Sequence, residues 1–216
     1  MTVADSYSVI AVAAPGRGPR SRTALAAMSR RVRAESIERC GAEILMRLSN
    51  DGGTILVPDS EVTDVDVRVL WCSIAQRSLI AATVPATSSE IPVAAGQAHE
   101  LLDLALALGR TSGLYRFDDL ALEYQLTRPG LGRERLAAVL DPLVPHPHLW
   151  QTLELFLISN LSRRALARRL GLHTNTIEYR LKRVAALTGL DPLTPTGQWH
   201  LRSALVARIR VNRHNR

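Results

Sequence analysis

From Thr174 to Arg183 the chain sets out Thr174, Asn175, Thr176, Tyr179, Lys182 and Arg183 within about three turns of what reads as a helix. Amide, hydroxyl and cationic groups at that density are the ones that read base edges and grip phosphates. Ile177, Leu181 and Val184 recur at helical spacing and predict the inward stripe. At about 100° per residue, Asn175, Tyr179 and Lys182 fall opposite that stripe, with Thr176, Glu178 and Arg183 on its flanks. The chemistry on offer is recognition of a duplex.

A short helix and a tight turn must hold that surface in place. Ser162 is the expected N-cap, Leu166 and Leu170 share one face, and Ala167 faces inward, where a small side chain lets two helices approach. Gly171 can take the left-handed conformation that ends a helix, and Leu172 returns to the core. This is the grammar of a helix-turn-helix. The competing reading is an amphipathic helical hairpin with no nucleic-acid role.

The string His173-Thr174-Asn175-Thr176-Ile177-Glu178-Tyr179-Arg180-Leu181, followed by Leu187-Thr188-Gly189-Leu190-Asp191, resembles the C-terminal helix-turn-helix of PucR/CdaR-type bacterial transcriptional regulators. Where that family carries a basic residue between the histidine and the asparagine, this chain has Thr174. The resemblance implies a recognition helix of about Thr174–Leu187 in the major groove. On this reading Arg163, Arg164, Arg180, Lys182 and Arg183 contact phosphates. Thr174, Asn175, Thr176 and Tyr179 face the bases, with His173 beside them. Each has a structural alternative. Tyr179 could cap the core edge, Arg180 could pair with Glu154 or Glu178, and Asn175 and Thr176 could only cap the helix.

Charge placement points the same way. From Leu149 onward twelve Lys/Arg face three Asp/Glu, a net of +9, against a net of −2 before that point. A basic excess on the segment that carries the helix pair is the footprint of a nucleic-acid module, although a solvated basic face would look alike. Lys182 is the only lysine. Cys40 and Cys72 are isolated, which excludes a paired-cysteine metal or redox motif. No apolar run is long enough to span a membrane, and the N-terminus lacks the basic start of a signal peptide, so a cytoplasmic protein is expected.

Before the basic segment the pattern reads strand (Tyr7–Ala13), helix (Ser21–Arg33), and two strands (Ala42–Leu48 and Thr54–Pro58) around the turn Ser49–Gly53. Val62–Trp71 alternates with a period of two, yet its place between strands suggests a helix start near Thr63; a strand at Ser78–Val84, a helix at Ile91–Leu108 and a strand at Leu114–Phe117 follow. The expected fold is an α/β sandwich with a mostly antiparallel sheet, followed by an all-α helix-turn-helix domain. The α/β part resembles the degenerate GGDEF-like domain of the same regulators. Its hairpin, Asp51-Gly52-Gly53-Thr54, has no carboxylate after the glycines, and nothing gathers Asp59, Asp64 and Asp66 around a metal. A non-catalytic domain with no cofactor is expected.

Residues 1–117 are thus assigned to the α/β domain, 118–147 to a helical linker and 148–216 to the DNA-binding domain. In the linker, Leu120, Leu122 and Leu126 supply one apolar face, and Leu136, Val139 and Leu140 the next. Pro142, Pro145 and Pro147 mark the boundary, with His146 and His148 exposed. Trp150–Ile158 and about Gly197–Val211 read as helices that close the last domain. The expected partners are double-stranded DNA and a second copy, since one short module usually needs two half-sites. The resemblance names no effector, and the sensory domain that precedes the GGDEF-like one in those regulators is expected to be absent. The alternatives are an interaction or dimerisation module with weak non-specific nucleic-acid binding, and a nucleotide cyclase, which the hairpin disfavours.

Overall fold

Strand β1 (Ser6–Ala13) is buried along most of its length on both faces, the environment of a central strand. In the computed structural model, residues 4–13, 30, 34, 44–49, 52–58, 80–110, 112–158 and 161–209 are described. The readings at 21–33 and 62–71 fall almost wholly outside them, as does the chain after Ile209. The remaining strands are β2 (Leu45–Leu48), β3 (Gly52–Pro58), β4 (Ile80–Thr87) and β5 (Gly113–Arg116), in the order β2-β3-β1-β4-β5. Among the described residues only β4 and β5 run parallel; the other pairs are antiparallel. Helix α1 (Ile91–Ala107) makes the crossover that a parallel pair requires and buries Ala98, Leu101, Leu104 and Ala105.

The expected hairpin joins β2 to β3, with Leu48 opposite Gly53. A Cβ on Gly52 would overlap the Val12 carbonyl, and one on Gly53 the Arg47 carbonyl. Close backbone approach therefore accounts for the glycine pair. The next residue, Thr54, shares a hydrogen bond of 2.9 Å with His99 Nε2 on α1. Strand β4 continues past Val84, the end read for it in the sequence, through Pro85 to Thr87. Pro85 lies opposite Ser8 of β1, whereas β5 reaches only as far as Thr83. A proline is tolerated where one edge of the strand has no partner. Just beyond it, Thr87 donates its hydroxyl and its N–H to Glu90, which holds that carboxyl below the usual range.

The described residues form two compact units divided between Ala121 and Leu122. Helix α2 (Phe117–Leu126) runs through that point and buries Leu120. Leu122 is exposed, contrary to the apolar face expected for it: two residues along a helix are about 200° apart and cannot share a face. The second unit continues with α3 (Leu131–Ala138), a 3₁₀ turn (Asp141–Leu143), α4 (Pro147–Ile158), α5 (Arg163–Leu170), α6 (Thr174–Thr188) and α7 (Pro195–Arg208).

Its main core joins Leu140, Leu143, Leu149, Leu153 and Leu157 to Val184, Leu201, Ala204 and Leu205. The stretch read as a linker boundary thus contributes Leu143, and the apolar face read just before it contributes Leu140, both fully buried. Pro142 and Pro147 stand in the first turns of the 3₁₀ turn and of α4, where a missing N–H costs nothing. Arg133 on α3 donates to the carbonyls of Ala207 and Ile209, while Arg208 on α7 donates to that of Ala137 and pairs with Asp141. Each arginine bonds carbonyls at the C-terminal end of the other helix, where the intrahelical ladder runs out. The last helix starts two residues before the Gly197 read in the sequence, with Thr194 its cap and Pro195 its first residue: the Thr194 hydroxyl accepts from Gly197 N–H at 3.1 Å.

Because Leu143 is core rather than linker, Leu143→Ala should lower unfolding stability by about 2–5 kcal/mol in urea titrations. A loss under about 0.5 kcal/mol, typical of exposed positions, would contradict this placement.

Candidate nucleic-acid interface

The interface is built on α5, the turn and α6. Ser162 caps α5 as expected, its hydroxyl accepting from Ala165 N–H at 3.3 Å. Gly171 ends that helix at φ 64°, the left-handed conformation in which a Cβ is penalised. Leu172 N–H returns to the Ala167 carbonyl at 2.9 Å and locks the turn. Leu166, Ala167, Ile177 and Leu181 form a second buried cluster, with Leu155, Phe156, Leu161, Leu170 and Leu172 packed around it. The stripe of α6 is shared, since Val184 belongs to the main core and Ile177 and Leu181 to this one.

Burying that stripe turns the opposite face outward. Asn175, Tyr179, Lys182 and Arg183 are exposed, and Tyr179 is 68 % accessible. Tyr179 therefore does not cap the core edge. Thr174 and Thr176 are half-buried on either flank. His173 is the N-cap: its Nδ1 accepts from Asn175 N–H at 3.2 Å, so the cap is neither Asn175 nor Thr176. Arg163 and Arg164 open α5, both exposed, and with Ser162, Thr174 and Glu178 they line a groove between the first turns of α5 and α6.

Two of the expected phosphate ligands have partners within the fold. Arg163 pairs with Glu178 at 3.1 Å, with about half of each side chain in solvent. Arg180 pairs with neither Glu154 nor Glu178; it is half-buried and donates to the Thr152 hydroxyl of α4 at 3.1 Å. Thr152 was not singled out in the sequence, and no local pattern marks it, because its partner lies on another helix. Arg164, Lys182 and Arg183 stay on the surface, as do Arg168 and Arg169. The other strongly exposed aromatic of this unit, Trp199, lies on α7 beside a groove that includes Phe156 and Pro195. Among the described residues no cluster of His, Cys, Asp and Glu could hold a metal, and no helix is long and apolar enough to cross a membrane.

Residues 149–207 match the family model of the PucR C-terminal helix-turn-helix domain. This unit carries a PucR-type helix-turn-helix. Proteins of Mycobacterium tuberculosis and Mycobacterium bovis are each 43% identical to the chain over 58 residues, which is 27% of this chain and 14% of theirs. YsfB of Bacillus subtilis is 35% identical over 89 residues, 40% of this chain and 24% of its own. The matched segments thus span under a quarter of these relatives' length. The crystal structure of a regulator of polyketide synthase expression from Bifidobacterium adolescentis aligns with 96% of this chain and 81% of its own, at 23% identity and a TM-score of 0.43.

The PucR-type helix pair should depend more on its cap than on its surface ion pair. Ser162→Ala should cost about 1 kcal/mol of unfolding stability, and Arg163→Ala less than about 0.5 kcal/mol. Urea midpoints at unchanged slope would decide, and the reverse order would mean that the ion pair holds the first turn.

Proposed function

We propose that this protein is a sequence-specific DNA-binding transcriptional regulator whose helix α6 enters the major groove. The observation that carries the reading is the outward face of a PucR-type second helix. An exposed amide, phenol and two cations stand there opposite a fully buried stripe. Asn175 and Tyr179, with Thr174 and Thr176 at the flanks, are the base-reading candidates. Arg164, Lys182 and Arg183 are the phosphate candidates, Arg163 joining them when its exposed pair with Glu178 opens. His173 acts through the helix start that it caps.

One such module buries little surface, so recognition of paired half-sites by a dimer is part of the proposal. The preceding α/β domain is proposed to be GGDEF-like and non-catalytic: its glycine pair serves strand packing, and Thr54 follows where a metal-binding carboxylate would be needed. The proposed division is an α/β domain over 1–117, helices over 118–147 and a DNA-binding domain over 148–216. The burial of Leu140 and Leu143 supports treating those helices as support for the last domain. A regulator of this kind acts on chromosomal DNA in the cytoplasm.

Selection of bound fragments from random duplex DNA, followed by titration of the winner and a scrambled control across salt, tests the reading. Preference for the winner should be at least about tenfold, on the order of 1.4 kcal/mol. Asn175→Ala should shrink that preference, whereas Lys182→Ala should weaken both duplexes alike and lower the salt slope by about 0.9. A steep slope with no preference would leave only a non-specific basic interaction module.

A further inference from the structure

One flank of α6 carries a charged contact that base and phosphate recognition does not use. Arg180 lies about 60° from the centre of the buried stripe, on the side facing α4. Its Nη1 donates to Thr152 Oγ1 at 3.1 Å and reaches the His148 carbonyl at 3.5 Å. Thr152 is fully buried and already gives its only hydroxyl proton to the His148 carbonyl, at 2.7 Å. What it offers Arg180 is therefore a lone pair, so the chain Arg180 to Thr152 to His148 has one direction.

We propose that Arg180 is a positioning residue, not a phosphate ligand: it fixes the roll of α6 against α4 through the Thr152 hydroxyl. The proposal rests on the DNA-binding reading above. Ile177, Leu181 and Val184 keep α6 on the core, but apolar burial is non-directional and resists rotation weakly. On the opposite flank the Arg163–Glu178 pair is exposed, and such pairs hold little. The Arg180 bond is directional, charge-assisted and partly shielded from water. Across a helix about 10–12 Å wide, a roll of about 10° carries side-chain tips roughly 1 Å sideways. That displacement is enough to spoil the paired hydrogen bonds by which an amide such as Asn175 would read a base.

The test compares the full-length wild type with Arg180→Ala, Thr152→Val, Thr152→Ser and the Arg180→Ala/Thr152→Val double variant. Each is titrated with the selected and scrambled duplexes across salt, below its thermal midpoint. Positioning predicts that Arg180→Ala and Thr152→Val each cut the preference for the selected duplex about fivefold. The double variant should be no worse than either single one. The salt slope should stay at the wild-type value, and Thr152→Ser, which keeps the hydroxyl, should restore preference. Thr152→Val is nearly isosteric and carries the comparison if Arg180→Ala does not fold.

A fall of about 0.9 in the slope for Arg180→Ala, with unchanged or tighter binding for Thr152→Val, would make Arg180 a phosphate ligand and overturn the proposal. Variants that lose thermal stability alone, with wild-type preference and slope, would overturn it too. A wild type without preference for any duplex would instead sink the DNA-recognition reading itself.

Discussion

Three side chains on α6, Ile177, Leu181 and Val184, must be kept from water, and the second unit is arranged around that requirement. Ile177 and Leu181 complete a small cluster with α5, while Val184 completes a larger one with α4 and α7. Phe156 on α4 packs against both. The helix that offers its polar face to solvent is thereby also the tie between two apolar clusters. Each such side chain contributes about 1.5–3 kcal/mol when buried. Loosening α6 to suit a ligand would therefore weaken the whole unit.

The supports around α6 divide by burial. Ends are set by local hydrogen bonds: Ser162 and His173 cap helix starts, and Gly171 and Gly189 end helices in the left-handed conformation. Flanks are set by side chains from neighbouring helices, a buried Thr152 on one side and an exposed Arg163 on the other. Behind them, Arg133 and Arg208 bond each other's helix ends, and Arg208 also lies 5.3 Å from the Trp150 ring. Several of this unit's arginines thus serve as internal struts. Net charge alone overstates how many cations are available to a polyanion.

Local features were legible in the sequence and tertiary ones were not. The helix-turn-helix could be read because its determinants lie within a few residues: a serine cap, apolar residues four apart and a glycine at the turn. Strand β1 and the β2–β3 hairpin were legible for the same reason. The linker prolines misled because their meaning depends on neighbours: Pro142 stands in the first turn of a 3₁₀ helix and Pro147 begins a helix. Arg180 was read as a phosphate contact or a partner of Glu154 or Glu178, whereas its partner lies 28 positions earlier on another helix. No periodicity links Arg180 to Thr152. Likewise, the burial of Leu143 depends on α6 and α7 closing over it.

Photo-crosslinking tests the central claim most directly, that the outer face of α6 is the surface that meets DNA. With p-benzoylphenylalanine in place of Tyr179 in one sample and Trp199 in another, the two strongly exposed aromatics of this unit become competing reporters. The account predicts crosslinks to the selected duplex from position 179, abolished by excess unlabelled duplex of the same sequence, and none from position 199. Crosslinks from position 199 with none from 179 would put the duplex on α7 and contradict it.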